Sequence, residues 1–205
     1  MPETFDQSQL ADVLTERVLQ LIDEGARTPL VLIDGRAGSG KSTLAEQLQA
    51  NLFRDGESLP RVIHMDDLYD GWNGLRSGSD YLLRFILGPL SRKTRANWQE
   101  YDWQLGARNR WREFDGGTPL IIEGCGALSQ ASGALADLRV WLEVDEELRH
   151  ERWLAREGHK FDDQWPLWAA QELDFYALEK SAELADLVGV AAAPSSAAAP
   201  ASATD

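Results

Sequence analysis

Pro29-Leu30-Val31-Leu32-Ile33-Asp34-Gly35-Arg36-Ala37-Gly38-Ser39-Gly40-Lys41-Ser42-Thr43 decides how the rest of this 205-residue chain is read. Its first part is a short continuous apolar run, the kind buried on both faces of a parallel sheet. Gly35 to Ser42 then satisfies G-x-x-x-x-G-K-[ST], and Leu44 to Phe53 resumes the three-and-four apolar spacing of a helix. The glycines let the backbone turn its N–H groups inward as an anion nest, and the helix that follows adds unpaired N–H groups and the positive end of its dipole. Strand, nest and helix in that order specify a site for phosphate. Gly35, Ala37, Gly38, Ser39 and Gly40 supply the cradle for the phosphates of ATP. Lys41 is expected on the β and γ phosphates and Ser42 on Mg²⁺, with Thr43 as a spare hydroxyl.

Outward from this stretch, strands and helices alternate. Gln9 to Glu24 has apolar residues at helical spacing, Arg61 to Met65 reads as a second strand, and Tyr81 to Leu90 as a helix. Leu120 to Glu123 and Leu138 to Val144 are further apolar strands. Glu146 to Arg156 and Asp163 to Glu183 follow as helices. This alternation predicts an α/β fold with a mostly parallel sheet. Arg92 to Gly117 is polar, aromatic and aperiodic, and a connection of that length inside one domain points to substrate contacts. From Ala191 the chain is almost wholly Ala, Pro, Ser and Thr, which lack the apolar bulk to pack. Residues 1–190 are therefore read as one catalytic domain and 191–205 as a disordered tail.

Composition narrows the partners. Lys and Arg number 20 against 34 Asp plus Glu, a formal charge of −14, which repels nucleic acid and anionic membrane at long range. The nest tolerates this charge because it meets phosphate at contact distance, whereas distant carboxylates are screened beyond about 8–10 Å. The one cysteine, Cys125, has no internal disulfide partner, and residues 1–25 are acidic and amphipathic rather than basic then apolar. No apolar run approaches the roughly 20 residues that span a bilayer. These features point to a cytoplasmic protein; a monomer or homodimer is expected, and nothing in the composition chooses between them.

Acidic residues follow two of the strands. His64-Met65-Asp66-Asp67-Leu68-Tyr69 puts carboxylates at the strand edge where α/β sheets bind ligands. Phosphoryl transfer to a hydroxyl needs a carboxylate to take its proton and others to hold Mg²⁺. Asp66 is the chosen base, also placed near the metal, while Asp67 is the alternative base or a helix cap. Glu123, ending Leu120-Ile121-Ile122, resembles a Walker-B acid on the Mg²⁺ shell. Arg149, Arg152 and Arg156 share a helix face and fit a lid whose guanidinium forks hold phosphate oxygens. Trp153, Trp165, Trp168, Phe175 and Tyr176 lie at helical spacing and read as core, whereas Trp72 and Trp103 sit in loops and are pocket candidates. Cys125 reads as an inert small residue, and His64, His150 and His159 lack metal-ligand spacing.

These segments together resemble the uridine kinase and phosphoribulokinase branch of P-loop nucleoside and nucleotide kinases. The matches are Gly35 to Ser42, Asp66-Asp67-Leu68-Tyr69, Tyr101-Asp102-Trp103, Glu123-Gly124 and the later arginines, spanning about residues 29 to 190. The resemblance implies a P-loop NTPase fold with a five-stranded parallel sheet flanked by helices, and a lid around residues 149–163. It implies that Asp66 accepts the proton of the acceptor hydroxyl. It also implies that Tyr101, Asp102, Trp103 and Arg108 line the acceptor pocket, to which Asp67, Tyr69 and Trp72 are added. Glu157 stands where the family's lid carries Asp. Near the place of the family's His-Pro-Asp-Ala ribose-binding stretch, this chain has Asp70-Gly71-Trp72-Asn73-Gly74-Leu75.

The expected activity is transfer of the γ-phosphoryl group of ATP to a small acceptor such as a nucleoside or nucleotide. Lys41, Arg152 and Arg156 would stabilise charge and Asp66 would act as base. The competing expectation is a nucleotide-dependent switch or regulatory ATPase with no small acceptor.

Overall fold

The apolar run ending in Asp34 lies at the middle of a parallel sheet. The computed structural model describes residues 1–56 and 58–191 of the 205. In chain order the first elements are β1 (Glu3–Asp6), α1 (Leu10–Asp23), β2 (Leu30–Gly35), α2 (Lys41–Arg54), β3 (Arg61–His64), α3 (Leu75–Leu82) and α4 (Gly88–Ser91). Then come β4 (Ala96–Asp102), β5 (Ala107–Phe114), β6 (Leu120–Glu123), α5 (Gln130–Gly133) and β7 (Leu138–Glu143). The last are α6 (Glu146–Glu157), α7 (Gln164–Glu179), α8 (Ser181–Leu184) and β8 (Leu187–Val190). The sheet order is β1-β8-β7-β2-β6-β3, and every pairing in it is parallel.

The alternation of side chains along β2 builds two cores from one strand. Val31 and Ile33 pack with Leu10, Leu14 and Val18 of α1 and Leu44, Leu48 and Leu52 of α2. Leu30 and Leu32 point the other way, into a cluster with Ile122, Leu82, Trp168 and Phe175. Each fully buried aliphatic side chain there stabilises the fold by roughly 1.5–3 kcal/mol. The nest is thereby mounted on a strand whose every residue is buried.

Three expectations are corrected. The sheet has six strands rather than five, because β1 pairs in parallel with β8 at the edge. β1 is a four-residue, largely exposed strand, Glu-Thr-Phe-Asp, too short and polar to show a period, and it is held by its neighbour's backbone. The stretch 92–117 is not aperiodic loop but mostly the antiparallel β4–β5 hairpin, with a bulge between Glu100 and Tyr101. Most of β5 is open to solvent, so no apolar alternation announces it. The helix expected at Tyr81–Leu90 begins at Leu75 and runs to Ser91 through a widened π turn at Leu83–Leu87. The expected tail lies outside the described residues except for Ala191. Among the described residues no helix is long and apolar enough to cross a membrane.

Candidate active site

Because the strands are parallel, their C-terminal ends share one edge. β2 ends in the glycine-rich nest, β6 in Glu123, and β3 in a tight turn, Met65–Asp67, that carries Asp66 and Asp67.

The nest is gripped from behind by side chains distant in sequence. Asp34, fully buried, accepts hydrogen bonds from the N–H groups of Gly35 (2.7 Å), Gly126 (3.1 Å) and Leu128 (2.8 Å) and from the Tyr176 hydroxyl (2.7 Å). Burial pushes its carboxyl up to about 6 in spite of these donors. Glu172 of α7 accepts from the Ala37 N–H at 2.6 Å, and Arg149 of α6 donates to the Ala37 carbonyl at 3.1 Å and the Val144 carbonyl at 3.2 Å. A trans peptide points its C=O and N–H in opposite directions, so holding the Ala37 carbonyl outward turns the Gly38 N–H inward. Gly38 itself (φ 80°) presses on the Arg149 backbone, and a Cβ there would lie 2.3 Å from the Arg149 carbonyl oxygen.

In front of the nest the charged groups converge. Lys41 is buried, its Nζ donating to the Arg36 carbonyl at 3.0 Å and lying 3.6 Å from Cys125 Sγ. Burial works against its charge, but Cys125 and the carboxylates of Glu123, Asp34 and Glu172 outweigh that and hold its pKa above the ordinary lysine value. The Ser42 hydroxyl donates to Glu123 Oε1 at 3.0 Å, and His64 Nδ1 lies 2.6 Å from that same oxygen. This hydrogen bond raises the His64 pKa. Asp66 opens onto the solvent of the cleft yet is ringed by protein on its other sides. That enclosure, with the nearby Glu123 charge, raises its pKa against the opposing pull of Lys41, Arg156 and His64. Burial likewise raises Asp67, with Glu100 adding to the effect. The Asp66 turn is pinned by the Trp103 indole, which donates to the Asp66 carbonyl at 2.9 Å.

Two clefts meet at the nest. One, of about 660 Å³, holds Asp66, Asp67, Glu123 and Cys125 under an aromatic wall of Trp72, Trp103, Trp153, Phe161 and Trp168. Trp72 stands at the centre of that wall, its ring 5.1–6.4 Å from those of Phe161, Trp103, Trp153 and Trp168. The other, of about 780 Å³, is bordered by Gln7, Thr43, Gln47 and Arg152. Gly38, Lys41, Ser42, Trp153 and Arg156 border both.

The structure gathers most of the candidate residues and sets others apart. Ala37, Gly38, Lys41, Ser42, Asp66, Asp67, Tyr69, Trp72, Trp103, Glu123 and Arg156 border the first cleft, and Gly40, Thr43 and Arg152 the second. Gly35 and Ser39 lie within the loop, Ser39 fully buried. Arg149 is not an open phosphate ligand: its guanidinium is buried behind the nest, 4.0 Å from Glu172. Arg108 stacks 3.6 Å over the Tyr81 ring and donates to the Leu68 and Gln99 carbonyls, bracing the hairpin rather than lining either cleft. Asp102 caps the hairpin turn, accepting from Gln104, Leu105 and Asn109. Tyr101 supports the Trp103 ring edge-on at 5.4 Å. Trp153 and Trp168, expected in the core, are buried and also wall the first cleft. Cys125 is buried, which pushes its thiol well above the usual range. The sequence reading misses Asp34 and Glu172 and weighs His64 only as a metal ligand, not as the partner of Glu123. Only Asp34 carried a signal, an acid ending the apolar strand that enters the nest.

Residues 31–167, more than half of the chain, match the family described as AAA domain. The chain belongs to that family. Its fold is an α/β P-loop fold shared with solved structures described as kinases. A possible uridine kinase from Bacillus stearothermophilus is 22% identical, with a TM-score of 0.63 over 87% of this chain and 96% of its own. A proposed fructose transport system kinase from Silicibacter sp. TM1040 is 24% identical, with a TM-score of 0.58 over 87% and 98%. A circularly permuted P-loop-containing kinase candidate from Saccharomyces cerevisiae reaches 0.54 at 13% identity, over 93% and 100%. No curated protein matches the chain. In this P-loop kinase fold, the arginine behind the loop is a structural element. Arg149→Ala, which leaves Glu172 buried without its partner, is expected to cost about 3–5 kcal/mol of stability. Thermal unfolding checks this; a solvent-facing phosphate ligand would leave the melting temperature unchanged.

Proposed function

We propose that the protein is an ATP-dependent phosphotransferase that moves the γ-phosphoryl group to a hydroxyl of a small acceptor, a nucleoside, nucleotide or similar metabolite. The observation that carries this is the meeting of two clefts at one nest. A nucleotide in the cleft bordered by Thr43 and Arg152 would present its terminal phosphate at Lys41 and Ser42, where the cleft of Asp66 and the aromatic wall begins. A switch or simple ATPase needs the cleft of Thr43 and Arg152 but has no use for an aromatic-walled one beside a carboxylate.

Mg²⁺ usually keeps waters and phosphate oxygens and takes only one or two protein oxygens. Ser42 Oγ and Glu123 Oε1, in contact beside the nest, fit that demand, with Asp66 nearby. The ion, when bound, would neutralise charge on the β and γ oxygens. Lys41 and the exposed Arg156 would share that charge. Arg152, which reaches the Gly38 carbonyl at 3.5 Å, would follow the phosphates from the lid. Asp66 would accept the acceptor's proton. Trp72, Trp103 and Trp168 border the Asp66 cleft and would offer apolar surface to a ring. Asp67 and Tyr69 complete that pocket, although the Tyr69 hydroxyl is committed to the Cys125 carbonyl at 2.7 Å. Residues 1–190 would act as one unit, with α6 and the following turn as lid, in the cytoplasm.

ADP release should be measured over a panel of nucleosides, nucleotides, sugars and vitamins. Turnover rising sharply with one acceptor class supports the kinase; hydrolysis indifferent to every acceptor favours the switch.

A further inference from the structure

The edge strand β1 delivers one side chain to the nest. Asp6 accepts from the Ser8 N–H at 2.8 Å and the Ser8 hydroxyl at 2.6 Å, which fixes the short turn Gln7–Gln9 after the strand. From that turn the Gln7 side-chain amide donates to the Ser39 carbonyl at 2.8 Å, across 32 residues of sequence. Gly40 follows with φ 98°, and a Cβ there would lie 2.6 Å from Gln7 Nε2, so the amide rests directly on the glycine face. The Ser39 hydroxyl is buried without a partner and its N–H is spent within the loop on the Arg36 carbonyl at 3.1 Å. Among the described residues, the Gln7 bond is what holds the Ser39 carbonyl.

We infer that Gln7 is a positioning residue for nucleotide phosphate, an inference that rests on the proposed nucleotide site. Ser39 C=O and Gly40 N–H belong to one trans peptide plane and point oppositely. Drawing the carbonyl out toward Gln7 therefore turns the Gly40 N–H into the cradle. It does for the second half of the nest what Arg149 does for the first half through the Ala37 carbonyl. The added edge strand thus completes the phosphate site as well as extending the sheet.

Gln7→Met keeps length and removes the donor; Gln7→Glu keeps shape but sets a carboxylate against a carbonyl. Affinities for ATP, ADP and adenosine should be titrated on the full chain of each, together with melting temperature. The expected result is ATP and ADP binding weakened about three- to tenfold in Gln7→Met, as for one lost hydrogen bond, and further in Gln7→Glu. Adenosine, which has no phosphate to place, should bind as in the wild type. Unchanged ATP affinity overturns the inference. So does a parallel loss for ATP and adenosine accompanied by a lower melting temperature, which marks a purely structural contact. If the wild type binds no ATP, the nucleotide site itself is wrong and this inference falls with it.

Discussion

Lys41→Met is expected to lower kcat by at least about 10²–10³-fold while the protein stays folded, the scale seen when one preorganised charge-stabilising group is removed. The choice of methionine comes from the structure. Lys41 is a buried side chain packed between the Arg36 carbonyl and Cys125, not a loose surface lysine, so alanine would also open a hole under the nest. Methionine retains the stem and deletes the charge. Against the opposing effect of burial, Cys125 and the carboxylates of Glu123, Asp34 and Glu172 hold the pKa of this ammonium above the ordinary lysine value, so it is a fixed electrostatic element. Single-turnover rates with the best acceptor, alongside circular dichroism and melting temperature, check the prediction. A folded variant with near wild-type turnover would remove phosphoryl transfer at this nest from consideration.

Asp66→Asn is expected to cost about 10²–10⁴ in kcat, as for a lost general base, with ATP affinity nearly unchanged. The carboxylate form must be present for proton acceptance, and the Asp66 pKa is raised above the ordinary value by enclosure and by Glu123. Activity should therefore be full at pH above that raised pKa and fall as pH drops through it, so the acid limb lies at higher pH than an exposed aspartate would give. The limb should vanish in Asp66→Asn. Asp67→Asn, measured in parallel, distinguishes the neighbours: Asp67 also borders the cleft and is also raised, by burial first and with Glu100 rather than Glu123 as its largest acidic influence. If Asp67→Asn loses turnover and Asp66→Asn keeps it, the two exchange roles. If both keep it, the cleft does not serve proton transfer.

The centre of this molecule could be read directly from its residues. Leu30 to Gly35 is a strand because apolar residues fill both faces, and Gly35 to Ser42 forms a nest because glycines at Gly35, Gly38 and Gly40 take positive φ. These are local constraints, expressed within a dozen residues. The alternation of strands and helices then carried the parallel sheet, and the acids at the ends of β3 and β6 followed onto its ligand-binding edge.

Tertiary structure alone decided which charged side chains border the clefts and which brace the loop from behind. Arg149, Arg152 and Arg156 are indistinguishable by spacing, yet Arg149 is spent on the Ala37 and Val144 carbonyls while the others border the clefts. A helical period specifies a face but not the depth of the surface that covers it. Asp102 and Arg108 likewise look like pocket residues until the β4–β5 hairpin brings their backbone partners into reach. β1 could not be foreseen, because four mostly exposed residues have no apolar pattern and gain their structure from hydrogen bonds to β8, more than 180 residues away in the chain. Gln7, carried by that strand, meets Ser39 only because the sheet edge and the nest lie side by side.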